Sequence, residues 1–589
     1  MYSKQKIFSF AFLLTLFVFS QFSYAETFTV NNSQDDVDVS VGDGVCLTGN
    51  NQCSLRAAIQ EANARPGPDV IQVPAGTYQM VINAPGEDFA TAGDYDILDD
   101  VQIIGAGREN TIINAIRLDR IFFVAPRTVV RISDMTLQNG LTRGGDGAEQ
   151  TGLGRGGGLL NFGQTTLSNV AVVSNIATDS GAGVANVGVD AILQMDNVVF
   201  SANSIEVGSF GEGRQASGGA ISNEAQGKLI LKNAILSNNT AENGGGGLYN
   251  GFDSEVWLND VAINNNSAIE GGGVMNKGQM TLNRVLIAGN SANNGGAIVN
   301  AFLVSEGETR PLNTPSALLM NVTISSNLAF NLGGAIFNRG ALLEMIHVTV
   351  ANNVAEDNIG GIFSANTQNT ETIMKGVLLS QNASGQDSSV QTNCVGDSFV
   401  SADYNLSDDD TCSEFLDERF DINDEDAQLG ELTDEVGSLQ AHQLQSGSPA
   451  IDAIPAEDCD NYNNGEPITV DQRGGQRPNS GECDIGAYEN GASPATDLPD
   501  FPSEPITPPA QPDPPDEPEP PDEPEEPEII SIEQAMDTNQ NGVIDDSEIK
   551  IAITYWVDEF EIPGTGGQII DDAKVKELIE MWALQLPIS

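Results

Sequence analysis

The stretch NVTISSNLAFNLGGAIFN, Asn321 to Asn338, contains two elements that recur through the middle of the chain. One is a β-branched run ending in asparagine: NVAVVSN, NVVFSAN, NAILSNN, DVAINNN, RVLIAGN, NVTISSN and HVTVANN, which close at Asn175, Asn203, Asn239, Asn266, Asn290, Asn327 and Asn353. The other opens on glycine and also ends in asparagine: GGGLLN, GAGVAN, GGAISN, GGGLYN, GGGVMN, GGAIVN, GGAIFN and GGIFSAN, with asparagines at Asn161, Asn186, Asn223, Asn250, Asn276, Asn300, Asn338 and Asn366. Successive spacings in the first set are 28, 36, 27, 24, 37 and 26, a period of about 26 with longer insertions near 206–217 and 301–314. Runs such as VAVV, VTIS and VTVA separated by Gly and Asn follow the grammar of strand and turn, not of helix. A strand unit this short cannot bury its apolar side alone, so neighbouring copies must stack. The pattern predicts a mainly β chain wound as a parallel solenoid with about three short strands per coil. Glycines would supply positive φ at its corners, and the asparagines would stack as amide ladders between coils. A Greek-key sandwich would not repeat one corner chemistry at a constant period.

The segments DVIQVPAGTYQM, VQIIGAGRENTIINA and FFVAPRTVVRISDMTLQNG read as less regular coils between about Asp69 and Gly140. Ahead of them, MYSKQKIFSFAFLLTLFVFSQFSYA carries Lys4 and Lys6, an apolar run, then Ser23 and Ala25. This predicts a secretory leader over 1–25, and no later segment is apolar enough to span a bilayer. Residues 26–68 then form an N-terminal cap, 69–400 the solenoid, and 401–492 an acidic, cysteine-containing set of C-terminal coils. From 493 to 528 the chain is dominated by Pro, Asp and Glu (PPAQPDPPDEPEPPDEPEEPE), an extended spacer rather than a core. Residues 529–589 make a last small domain.

Six cysteines lie as three local pairs, Cys46 with Cys53, Cys394 with Cys412 and Cys459 with Cys483; six allow 15 pairings, and short bridges in an oxidising compartment are the simplest. With two histidines and no CxxC, zinc binding is not indicated. The formal net charge of −59 repels nucleic acid and anionic lipid.

Several stretches resemble known families. CSLRAAIQEAN, Cys53 to Asn63, resembles the CSLREA motif of exported bacterial surface proteins, with Ala57 in place of the motif's glutamate. The GGAI and FxxN elements (Gly333–Ile336, Phe200–Asn203) resemble repeats of polymorphic outer membrane proteins and other pectate-lyase-like proteins. GSPAIDA (Gly447–Ala453), DQRG (Asp471–Gly474), Arg477, Pro478 and CDIGAYE (Cys483–Glu489) resemble the choice-of-anchor Q region. These resemblances imply a right-handed parallel β-helix and an exported, surface-associated life. They imply no activity.

β-Elimination would need an Asp cluster for a metal and an Arg or Lys as base. Between Gly156 and Val390 the basic residues are Arg214, Lys228, Lys232, Lys277, Arg284, Arg310, Arg339 and Lys375, and none is expected in register beside an acid on a neighbouring coil. Asp190, Asp196, Asp253 and Asp260 are too scattered for a hydrolase pair. Asp452, Asp471, Arg473, Arg477, Asp484 and Glu489 form a dense charged set, a catalytic or metal cluster on one reading and, on the favoured one, an ion-pair network closing the last coil. His347, inside IHVTV, is expected to be a packed residue rather than a ligand.

DTNQNGVIDDSE, Asp537 to Glu548, has the spacing of an EF-hand calcium loop. Asp537, Asn539, Asn541, the Val543 carbonyl, Asp545 and Glu548 supply the oxygens a Ca2+ ion requires, with Gly542 at the turn. Val543–Trp556 overlays Ile569–Trp582 at an offset of 26, but Pro563, Thr565, Gly567 and Lys574 replace four ligands, so one ion is expected. The duplicated loop and helix resemble dockerin-like modules, which implies docking to a cohesin-like or other surface protein. The expectation is an exported, non-enzymatic surface or extracellular protein, adhesin-like, binding a glycan or protein through its β-helix and displayed through its calcium module. The alternative is a secreted polysaccharide lyase or glycoside hydrolase with a dockerin-like tail.

Overall fold

The computed structural model describes residues 25–495, except 84–88, 143–153, 207–215, 303–312, 386–389, 434–438, 462–463 and 480, together with Ile532, Lys574, Lys576 and Leu578. The chain divides into two units, 1–508 and 509–589. In the second, the four described positions are helical, with Ile532 and Leu578 buried. The calcium loop, nearly all of the leader and the spacer after Ala495 lie outside the described residues.

The first unit is a parallel β-helix. Ten-residue strands such as Lys228–Ser237, Glu255–Asn264, Gln279–Ala288 and Ser316–Ser325 pair in parallel, residue for residue, into one long sheet. A second sheet stacks eleven short strands from Tyr95–Ile97 to Cys394–Gly396. A third contains Ser291–Asn294, Leu328–Leu332 and Val354–Ala355. The inward positions of all coils merge into one core, with Val261, Ile263, Val285, Ile287, Val322 and Ile324 within 2 % of full burial.

Both asparagine series run as buried ladders. Asn266 donates through Nδ2 to Oδ1 of Asn290 (3.0 Å), and its own Oδ1 accepts from the backbone N–H and Nδ2 of Asn239. The same bond recurs from Asn175 to Asn393 along one corner and from Asn161 to Asn338 along the other. One member departs from the expected series. Ser364, not Asn366, pairs in register with Asn338; Asn366 is exposed, and Asn338 donates to Thr372 instead.

Left-handed backbone marks three corners of the coil. At the glycine corner, Gly333 has φ +63°, and a Cβ on Gly334 would sit 2.4 Å from the Gly360 carbonyl. Before the buried ladder, Asn238, Asn265, Ser326 and Asn352 have φ of 57–58°. The third column bends the long strand at its middle: Asn169, Asn197, Asn233, Asp260, Arg284, Asn321 and His347 all have φ between 50° and 57°. These residues open each β-branched element. Asn and Asp tolerate this conformation; Arg284 and His347 are held in it by their surroundings.

At the N-terminal end, Thr27–Thr29 pairs with Val70–Gln72, and a helix, Leu55–Ala64, begins at Ser54, whose hydroxyl accepts from Ala57 N. Each polar residue of the CSLREA-like stretch has a structural task. Arg56 pairs with buried Asp35 at 2.6 Å and lies over the Tyr95 ring, and Glu61 accepts from Gly42 N and Gly44 N. All six cysteines are bonded in the three local pairs. Coil pairing continues to Ile422–Asn423, and Leu416 and Cys412 join the core near the C-terminal end, with Phe415 packed on Phe399.

The expected network closing the last coil sits elsewhere. Residues 439–493 turn back and cover one flank of the long sheet. Arg477 Nη1 donates to Asn321 Oδ1 (3.2 Å), Gln472 meets Thr323, His442 meets Ser325 (2.8 Å), and Ala487 N donates to Thr349 Oγ1 (2.9 Å). Leu432 and Leu439 cover Ala262 and Leu286. The outward residues under this layer, Thr323, Ser325, Thr349 and Leu378, are almost fully buried, whereas Ile235 in the uncovered coils is 45 % exposed.

Two outcomes are expected. Asn266→Ala strands donors on Asn239 and should cost about 2 kcal/mol, whereas Asn265→Gly, at an exposed left-handed corner, should be near neutral; urea unfolding of the full chain separates them. Arg477→Met leaves Glu489 buried and unpaired, so limited proteolysis should cut the flank layer after about residue 430 while the β-helix core survives.

Candidate functional site

The charged set from Asp471 to Glu489 is a closed internal network. Arg473 pairs with Asp471 (2.6 Å), lies 3.6 Å over the Tyr488 ring and donates to the Glu489 carbonyl. Arg477 pairs with Glu489 (3.0 Å) and donates to the Gly486 carbonyl. Asp471 and Asp484 accept from backbone N–H groups of Glu489, Asp452 and Asn490. Burial, with Glu489 nearby, pushes the Asp484 carboxyl up to about 6. Asp452 itself is exposed. With carboxylate oxygens committed to backbone amides and guanidinium groups, this arrangement anchors the flank layer.

His347 is 1 % exposed beneath that layer, its Nε2 3.9 Å from Cys459 Sγ. Burial, followed by the nearby Arg477 and Lys375 cations, holds the imidazole well below its usual range. It is packed, as expected. The basic residues depart from expectation: two stand in register beside an acid on the next coil. Arg284 forks onto Asp260 (2.7 and 2.5 Å), and Lys228 lies opposite Glu255 (3.9 Å). The first pair was hidden because Asp260 and Arg284 look unrelated until the shared mid-strand bend stacks them. Among the other aspartates, Asp196 accepts from Asn233 and Asp253 from Asn313 N. Among the described residues, no group of three or more His, Cys, Asp or Glu could hold a metal.

The outer face of the long sheet is a different surface. Parallel pairing places Gln194, Ile230, Trp257, Thr281, Leu318, Glu344, Ile373 and Val400 in a single row, one per coil. Strands about 4.8 Å apart make this row about 34 Å long. Trp257 is the only tryptophan of the first unit and is half-buried, with one part packed and the other open. Lys228, Lys232, Glu255, Asn259, Gln279 and Asn283 flank it, two residues to either side along the strands. Asn283 donates to Asn259, and Gln279 to the Thr314 carbonyl, so these amides are fixed in place. Farther along, Leu342, Glu371, Asp397, Phe399 and Val400 line a cleft of about 510 Å3. A second cleft, about 720 Å3, lies in the flank layer among Gln443–Ser448, Ile451 and Asn490, away from the tryptophan row.

The predicted calcium ligands Asp537, Asn539, Asn541, Val543, Asp545 and Glu548 fall outside the described residues. No helix among the described residues is long and apolar enough to cross a membrane.

No family model and no curated protein matches the chain. Among solved structures it is similar to pectate lyase Pel9A at 12 % identity and a TM-score of 0.40, over 79 % of this chain and 97 % of that one. The A-module of the Azotobacter vinelandii mannuronan C-5 epimerase AlgE6 aligns at 14 % identity and 0.28, over 59 % and 94 %. ORF18 of Geobacillus virus E2 aligns at 12 % and 0.27, over 57 % and 54 %. Likeness this distant bears on neither activity nor ligand, and the fold rests on the strand pairing itself.

Proposed function

We propose that the chain is an exported, non-enzymatic binding protein whose β-helix holds an extended glycan along the outer row of the long sheet. Trp257 carries the reading: a partly exposed indole on a rigid flat face, flanked by fixed amides, suits the alternating apolar and hydroxylated faces of a sugar. The Trp257-to-Val400 row gives an elongated ligand several coils of contact. Pairing of Arg284 with Asp260 occupies groups that a lyase or hydrolase would need unpaired, favouring binding over turnover. Three disulfides fit an oxidising, extracellular setting.

In this reading, residues 529–589 display or dock the protein through a calcium-loaded module that meets a cohesin-like or other surface protein. Asp537, Asn539, Asn541, the Val543 carbonyl, Asp545 and Glu548 would hold one Ca2+.

Trp257→Ala should weaken retention on a panel of neutral and acidic polysaccharides in affinity electrophoresis at least ~10-fold, with unfolding unchanged; unaltered retention, or turnover of any polysaccharide, overturns the reading. Calorimetric titration of the full chain should find one Ca2+ per chain, lost in Glu548→Ala. Two ions per chain would contradict the degenerate second half.

A further inference from the structure

The strand that opens the fold, Thr27–Thr29, follows directly on Glu26, the residue after the expected end of the leader, and Glu26 meets a buried carboxylate. Glu26 N donates to Oδ1 of Asp69 at 2.7 Å. Asp69 is 2 % exposed, and its Oδ2, also buried, has no hydrogen-bond partner. Burial lifts this carboxyl to about 6, against the opposing pull of the Glu26 N–H. Asp99 and the Glu26 side chain add like charge nearby, and Arg65 is bonded to Glu26 Oε1 (2.8 Å) instead. The site therefore holds a desolvated anion with one oxygen idle and, among the described residues, no cation bonded to it.

The rest of Glu26 is fixed. Its carbonyl accepts from Val70 N (2.8 Å), its carboxylate pairs with Arg65, and Thr27, Phe28 and Thr29 run in register with Val70, Ile71 and Gln72. The nitrogen is thus held beside Asp69 whether or not the bond before it is intact. Ala25, by contrast, is exposed and outside the strand. In the uncut chain the Glu26 nitrogen carries one hydrogen, already given to Oδ1. Hydrolysis of the Ala25–Glu26 bond places the oxygen of one water on the Ala25 carbonyl carbon, as a carboxylate. Both hydrogens of that water end on the Glu26 nitrogen, which becomes an ammonium with three.

We propose that removal of the leader completes the N-terminal end of the β-helix: the new Glu26 α-ammonium forms a buried ion pair with Asp69 and satisfies both carboxylate oxygens. The inference rests on the exported reading above and gives the cut a structural role. An α-ammonium beside a carboxylate stays charged at neutral pH, and its bonds are stronger than that of the neutral N–H it replaces. Asp69 opens the strand Asp69–Gln72, which pairs with Thr27–Thr29 on one side and with Val101–Ile104 on the other. The pair therefore fastens the first strand of the stack to the second. A chain that keeps one residue before Glu26 keeps the amide and holds that strand less firmly.

Two forms of the otherwise full chain, both made without a leader and with disulfides formed, test this. One begins on a free Glu26, the other one residue earlier on Ala25. Hydrogen exchange over residues 26–73, read by mass spectrometry, should be at least ~10-fold slower in the first form, and Asp69→Asn should abolish the difference. Equal exchange in the two wild-type forms overturns the proposal. A second reading needs no variant: a small activated ester should acylate the Glu26 amine at least ~10-fold more slowly than the amine of a short peptide of the same sequence. Equal acylation rates also overturn it. N-terminal sequencing of the exported protein should find Glu26 first. Another first residue overturns the assignment of the cut, independently of what the exchange and acylation rates say about the pair.

Discussion

The β-helix depends on one interaction repeated along two corners: a fully buried asparagine amide that donates to the amide of the next coil. A buried amide that misses its partners costs more than a well-made bond contributes, so each coil is driven to place its asparagine directly over the last. Register along the stack, already specified by the alternation of the apolar core, is thereby pinned a second time. The glycines on either side serve the same end. At Gly334, nothing larger fits between the chain and the carbonyl of the next coil.

Fixed register turns the outer face of the long sheet into a regular lattice. Each coil from Gln194 to Val400 contributes one outward residue to the row that holds Trp257, at the strand spacing. A ligand that meets this row therefore meets preset positions, with little conformational entropy left to lose on the protein side. The mid-strand bend adds a second lattice beside it, where Asn169 donates to Asp134 and Arg284 forks onto Asp260. These polar contacts on the outside repeat the logic of the ladders within.

What the sequence revealed follows from what repeats. Buried asparagines and corner glycines are required in every coil, so they recur at a readable period and disclose the solenoid. Asn366 marks the limit: it sits in the familiar string, yet the chain reaches the ladder position two residues early and Ser364 occupies it. The mid-strand bend went unread because Arg284 and His347 stand where Asn and Asp are usual, although each opens its element at the same offset. Trp257 carried no signal of its own, since its placement on the open row depends on register rather than on neighbouring residues. Least legible was the flank layer. Arg477 meets Asn321 across 156 residues, and no local pattern encodes so distant a contact.

That layer also explains how so acidic a chain buries so many ions. Asp471, Asp484 and Glu489 are each at most 1 % exposed within a protein of net charge −59, where any unpaired carboxylate adds to a repulsive field. Scarce arginines are spent inside this network, on Arg473 and Arg477, rather than on the surface, where screening would dilute their effect. Breaking such a pair leaves a bare charge in the interior, so the layer docks as a unit or not at all. The all-or-none contact holds coils from Ala262 to Leu378 beneath one cover. It leaves the tryptophan row, on the other half of the same strands, open to whatever the protein binds.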